Sequence, residues 1–130
     1  MESTHALVID DNNNNLDVLV MLLSQQGVEA TPVASLRSVP ETLNQLPQVD
    51  VIFLDLEFPN GSGYELFRNL KADPRLANVP VVAYSVHISE IERVRREGFH
   101  GFLGKPLNAR HFPRQLQQIL NGIPVWEIGA

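Results

Sequence analysis

The sequence predicts one α/β domain, a doubly wound parallel sheet with helices on both faces. Three observations carry this prediction: short runs that are apolar throughout, amphipathic stretches of helical period between them, and five repeats of that alternation within 130 residues. Uninterrupted apolar runs of four to six residues read as strands buried on both faces. A βα chain with short connections closes most readily through right-handed crossovers, which place helices above and below the sheet.

Each element follows in order. The run Ala6, Leu7, Val8, Ile9 is the first strand, and Leu16, Leu19, Val20 and Leu23 repeat at i, i+3, i+4 and i+7 on the helix after it. Gly27 is placed to stop that helix. A weaker strand spans 29–33. The pair Ser38 and Glu41 is a capping-box candidate for the second helix, with Pro40 in its first turn, where proline is tolerated. The strand at 51–54 is the most apolar of all, and Asp73-Pro74 ends the helix that follows. A strand at 79–84 leads to a second capping-box candidate, Ser89 and Glu92, and to a stop at Gly98. A weaker strand at 101–103 precedes the last helix, marked by Phe112, Leu116, Ile119 and Leu120. Pro113 implies either a late start or an irregular first turn for that helix. The domain is expected to span 1–122, with a short C-terminal tail at 123–130. Trp126 in that tail is expected to cover the end of the last helix, or else to anchor a partner.

Composition narrows the function. At 44% hydrophobic and 19% charged, the chain has room for a single core and not for a second domain. Its net charge of -5 is spread without blocks of either sign, so nucleic acid is not expected as a direct partner. Arg93, Arg95 and Arg96 are expected to form a solvated helix face. There is no cysteine, which removes disulfides, thiolate metal sites and cysteine nucleophiles. The N-terminus lacks the basic start and apolar stretch of a signal peptide, and no apolar run reaches membrane-spanning length, so a cytoplasmic protein without membrane insertion is expected. The histidines at 5, 87, 100 and 111 show no ligand spacing, and of these His87 is expected to border the site.

In doubly wound sheets ligands bind beyond the carboxyl ends of the strands. Asp10, Asp11, Asp55, Ser85 and Lys105 all follow strand candidates, and so meet at one rim. Taken singly, each has a plain explanation: Asn12 to Asn15 or the acidic pair could cap a helix, Lys105 could be a solvated loop residue, Ser85 a small strand end. Taken together, three carboxylates cost stability unless something neutralises them, and a divalent cation suits them.

The motifs Val8-Ile9-Asp10-Asp11-Asn12, Leu54-Asp55-Leu56-Glu57-Phe58-Pro59 with Gly63, Ser85 thirty positions after Asp55, and Lys105-Pro106 resemble the receiver domain of bacterial two-component response regulators. The resemblance covers essentially the whole chain. It implies a flavodoxin-like (βα)5 three-layer sandwich with parallel sheet order 2-1-3-4-5. It further implies that Asp55 takes a phosphoryl group from a phosphohistidine on a histidine kinase or phosphotransfer protein. Asp10, Asp11, Asp55 and the backbone carbonyl of Glu57 would hold Mg²⁺, Lys105 would neutralise phosphoryl charge, and Ser85 would hydrogen-bond a phosphoryl oxygen. Ser85 and Phe102 would be the switch residues, acting on the face made by the fourth helix, fifth strand and fifth helix; the partners implied are an unknown downstream protein target and, as an open alternative, a phosphorylation-linked homodimer. The chain would then be a signalling domain and not an enzyme, limited to self-catalysed phosphotransfer and slow autodephosphorylation. With about ten residues after the last helix, a stand-alone regulator or a receiver cut from a longer chain is expected.

Departures from the family pattern matter as well. The segment from Ser85 to Lys105 is a little shorter than usual, so the fourth helix is expected to change in start, length or orientation. Val86 would narrow access to the phosphoryl group, Phe58 substitutes as apolar packing, and Glu57 adds a fourth carboxylate near the rim. These features sustain an alternative, a phosphorylation-independent interaction module of receiver fold. A metal-dependent phosphatase would use Glu57 as the acid two residues after the nucleophile, but no cap or substrate domain is present. A dinucleotide site is disfavoured because no Gly-x-Gly-x-x-Gly follows the first strand.

Overall fold

The computed structural model describes residues 4–127. Its main elements in order are β1 (His5–Ile9), α1 (Asn13–Gln25), β2 (Glu29–Val33), α2 (Val39–Gln45), β3 (Val51–Asp55), α3 (Gly63–Ala72), β4 (Val81–Ser85), α4 (Ile91–Glu97), β5 (Gly101–Gly104), α5 (Phe112–Leu120) and β6 (Trp126–Glu127), with a small antiparallel hairpin, Glu57–Phe58 with Gly61–Ser62, between β3 and α3. The sheet runs β2-β1-β3-β4-β5-β6, with every neighbouring pair parallel. This is the expected 2-1-3-4-5 order, extended by a sixth strand from the tail.

Period-two alternation sorts the strands between two cores. Leu7, Ile9, Ile52, Leu54, Val81, Ala83 and Phe102 face α2, α3 and α4. Ala6, Val8, Val51, Phe53, Val82, Tyr84 and Leu103 face α1 and α5. Strands β1, β3 and β4 are therefore apolar on both sides, as a central parallel strand must be.

Helix ends follow local chemistry. Asn12 caps α1 by accepting the Asn15 N–H at 3.0 Å. Gly27 and Gly98 follow their helices with positive φ, as expected of stops. Neither capping box forms. Ser38 and Glu90 occupy the cap positions of α2 and α4 without a side-chain bond to the backbone, because a 3-10 turn leads into each helix. The shortened segment shows here: α4 has seven residues. Pro113 is settled as the second residue of α5, and Asn108 turns the chain into that helix by accepting the N–H groups of Arg110 at 2.8 Å and His111 at 3.2 Å.

The arginines of α4 are exposed, as expected, and two of them also lie over aromatic rings. Arg93 lies 3.8 Å from the centre of the Tyr64 ring, and Arg95 lies 4.6 Å from that of Trp126. Trp126 pairs with Phe102 across β5 and β6, and it lines a groove together with Ile119, Leu120 and Gly122 at the end of α5. Among the described residues, no helix is long and apolar enough to cross a membrane.

Candidate functional site

Alternation explains why the rim is charged on one side. Asp10 continues the face of Val8, Asp55 that of Phe53, Lys105 that of Leu103, and Tyr84 lies opposite Asp55 in the register. Four polar groups thus leave three adjacent strands and the end of β5 toward one point. Gly63 lets α3 begin directly against β3, since a Cβ there would lie 2.5 Å from the Asp55 carbonyl oxygen.

Asp10 is fully buried and Asp55 is 8% exposed, whereas Asp11 lies in solvent. Ligand-type oxygens of these three carboxylates all lie within 4.8 Å of one another. The Lys105 ammonium is 2.9 Å from Asp10 Oδ2 and 3.4 Å from Asp55 Oδ1. Asp10 Oδ1 accepts the Asn12 N–H at 2.9 Å, and Oδ2 also accepts the Tyr84 hydroxyl at 2.9 Å. Asp55 Oδ1 accepts the Leu56 N–H at 2.9 Å.

These neighbours push the two acids apart. Burial pushes Asp55 up to about 6, opposed by the Lys105 charge and reinforced by that of Asp10. Burial would also raise Asp10, but the bonds from Lys105, Asn12 and Tyr84 outweigh it and hold this carboxyl below the usual range. Burial and the Asp10 charge push the Tyr84 hydroxyl far up, so it stays a donor.

The remaining candidates surround the same cleft of about 500 Å³. Ser85 is 2% exposed, its hydroxyl accepting the His87 N–H at 3.0 Å and its carbonyl the Lys105 N–H at 2.9 Å. His87 borders the cleft as expected, with Nε2 3.1 Å from a Glu57 carboxylate oxygen. Glu57 and Val86 are both exposed at its mouth. Phe102 is the outlier among the predicted residues, fully buried on the opposite face and away from the carboxylates. Sequence reasoning missed Tyr84 as a polar participant, because inside the run 79–84 its ring reads as core. The parity shared with Asp55 was the available signal.

A larger groove, about 630 Å³, opens at the amino end of the sheet. Its one ammonium, Lys71, already bonds the carbonyls of Leu76, Ala77 and Val79.

An oxygen-only cluster of this kind fits a hard divalent cation, and a carboxylate beside a shared ammonium fits a nucleophile toward an anionic group. Comparison with known proteins identifies the family. The family model described as "Response regulator receiver domain" matches residues 6–117. The two-component response regulator ORR8 of Oryza sativa subsp. indica is 34% identical over 121 residues, covering 92% of this chain and all of that one. A receiver domain structure from Methylobacillus flagellatus superposes with a TM-score of 0.80 at 26% identity, covering 91% of this chain and 99% of that one. The receiver domain of a sensor histidine kinase from Pseudomonas aeruginosa, with a magnesium ion coordinated in its active site cleft, superposes with a TM-score of 0.80 at 24% identity, covering 92% and 99%.

Proposed function

The chain belongs to the response regulator receiver domain family, and from that premise we propose that it accepts a phosphoryl group on Asp55 from a phosphohistidine of a histidine kinase or phosphotransfer protein. One observation carries the reading: a nearly buried carboxylate shares an ammonium, at 3.4 Å, with a fully buried second one. An Asp55 oxygen attacks phosphorus, the P–N bond breaks, and its electron pair returns to the imidazole, which takes up a proton. Lys105 then pairs with the phosphoryl oxygens, and the Ser85 hydroxyl, close by on β4, hydrogen-bonds one of them.

Asp10, Asp11, Asp55 and the Glu57 carbonyl would hold Mg²⁺, which suits the oxygen donors found here. When bound, the ion neutralises phosphoryl charge and lowers the repulsion among the carboxylates. The product is a signal: Ser85 and the buried Phe102 form the switch, and the face of α4, β5 and α5 is read by a downstream protein. The domain is a phosphoacceptor and not a turnover enzyme.

The test is intact mass after incubation with a small phosphodonor and Mg²⁺, beside Asp55→Asn and a metal-free control. One phosphoryl adduct that needs both Asp55 and the metal is expected. No adduct with the small donor or with a panel of phosphorylated kinases would overturn the reading in favour of a phosphorylation-independent module.

A further inference from the structure

Asp10 has no solvent contact, so every donor to its carboxylate has to come from the protein or a bound ion. Three donors supply it: the Asn12 N–H on Oδ1, and the Lys105 ammonium and Tyr84 hydroxyl together on Oδ2. Tyr84 touches both sides of that ion pair, its hydroxyl on the carboxylate and its ring centre 4.4 Å from the ammonium. The ring is itself 1% exposed and packed in the core against α1 and α5, so it cannot follow either partner.

Of the three donors, Lys105 is the one carried on a long, freely rotating side chain. Between Asp10 at 2.9 Å and Asp55 at 3.4 Å it is poised to move toward whichever anion is stronger. A phosphoryl group on Asp55 is that anion. Its departure would leave the Tyr84 hydroxyl as the one protein donor on Asp10 Oδ2, beside whatever a bound ion supplies, a loss that counts against phosphorylation.

We propose that Tyr84 is a positioning residue for the phosphoryl-bearing state: its hydroxyl keeps Asp10 satisfied while its ring guides Lys105 across to the phosphoryl group. The inference rests on the phosphoacceptor reading above. Tyr84 does not touch the reacting atoms; it acts through Asp10 and Lys105. A plain structural role would instead have the hydroxyl bonded to any convenient carbonyl, whereas here it shares an oxygen with the ammonium.

The experiment measures beryllium trifluoride binding at saturating Mg²⁺ for wild type, Tyr84→Phe, Lys105→Met and the double variant, with Mg²⁺ affinity alone and a thermal melt of each. Tyr84→Phe keeps the ring and removes one oxygen. It is expected to bind the analogue about ten-fold more weakly, with Mg²⁺ affinity within about two-fold, and in the Lys105→Met background its effect is expected to vanish. Unchanged analogue affinity, a parallel loss of Mg²⁺ affinity, or the same loss without Lys105 overturns the proposal. If the variant does not fold, the wild type is followed by NMR as the analogue is added: the Lys105 ammonium signal should move while the Tyr84 ring carbon bearing the hydroxyl keeps its shift, and movement of both overturns the proposal. A wild type that fails to bind the analogue overturns the phosphoacceptor reading, and this inference with it.

Discussion

Two ion pairs on this sheet have nearly the same geometry and opposite surroundings. At the carboxyl rim, Lys105 and Asp10 meet at 2.9 Å with side chains 10% and 0% exposed. At the outer edge, Arg114 and Glu127 meet at 3.2 Å with side chains 54% and 33% exposed. Water screens the second pair, and exposed pairs of this kind contribute little. The first pair pays heavily for desolvation and is stable only while each of its donors stays in place. The edge is assembled instead from many modest contacts. Val125 is buried, its carbonyl accepts the Phe102 N–H at 2.8 Å, and Gln115 donates to Glu127 at 2.8 Å. Gly101 leaves out the Cβ that would lie 2.6 Å from that same carbonyl oxygen. Concentrated charge makes the rim costly, while the edge rests on contacts that are each modest.

The largest expected effect separates these regions by removing the rim's cost. Asp55→Asn should abolish the adduct, by at least about a hundred-fold if this carboxylate is the nucleophile. It should also stabilise the metal-free protein. Because folding raises Asp55 to about 6 from 3.8, its stabilising contribution is complete below about pH 4 and is lost as pH rises through 6. Asp10 runs the other way, its lowered value adding stability that is lost as pH falls below the usual carboxylate range. Thermal melts in chelator should therefore show a larger gain for Asp55→Asn at pH 7.5 than at pH 4, and equal gains would refute the assignment.

Gly101→Ala attacks the edge. Its Cβ must push the tail strand away, at a cost of about 1–3 kcal/mol, and Trp126, the one tryptophan of the chain, should report this as a red-shifted emission. Adduct formation should stay within about two-fold of wild type if the edge is as separate from the chemistry as its contacts indicate. A lost adduct would show the two regions to be coupled. A smaller effect is expected from Val86→Ala at the mouth of the cleft: a few-fold shorter aspartyl-phosphate lifetime, because the exposed isopropyl group stands where water would approach. Unchanged decay would remove Val86 from the account. Smallest of all, Arg114→Ala should cost under about 1 kcal/mol, and that cost should shrink further with added salt. A denaturation midpoint shifted by more would mean that the edge depends on this pair.

What was legible in the sequence divides along the same line. Asp10, Asp11, Asp55, Ser85 and Lys105 could be found because a polar side chain that ends an apolar strand breaks a pattern, and the fold sends every strand end to one rim. The central strands were readable for the same reason. Strand β6 was not: two residues after Ile123-Pro124 have no period, and their strand character comes wholly from Gly101 and the β5 edge. Tyr84 was hidden by its own ring, which counts as apolar in a run whose hydroxyl partner lies 74 positions away. The capping boxes at Ser38 and Ser89 misled because a 3-10 turn leads into each helix: Ser38 holds the cap position without a side-chain bond, and Ser89 lies inside the turn, with Glu90 at the cap.

The sixth strand also sets the exits of the chain. It runs parallel to β5, so Glu127 points toward the carboxyl rim, while β1 enters from the far end of the sheet at His5. A reporter or affinity handle joined downstream of residue 127 would leave from the carboxyl-rim side of the sheet's outer edge, whereas one joined ahead of residue 5 would leave from the opposite pole. Labelling strategy for this domain is thereby decided by strand direction: immobilise it by its amino end, and the carboxyl rim faces the solution.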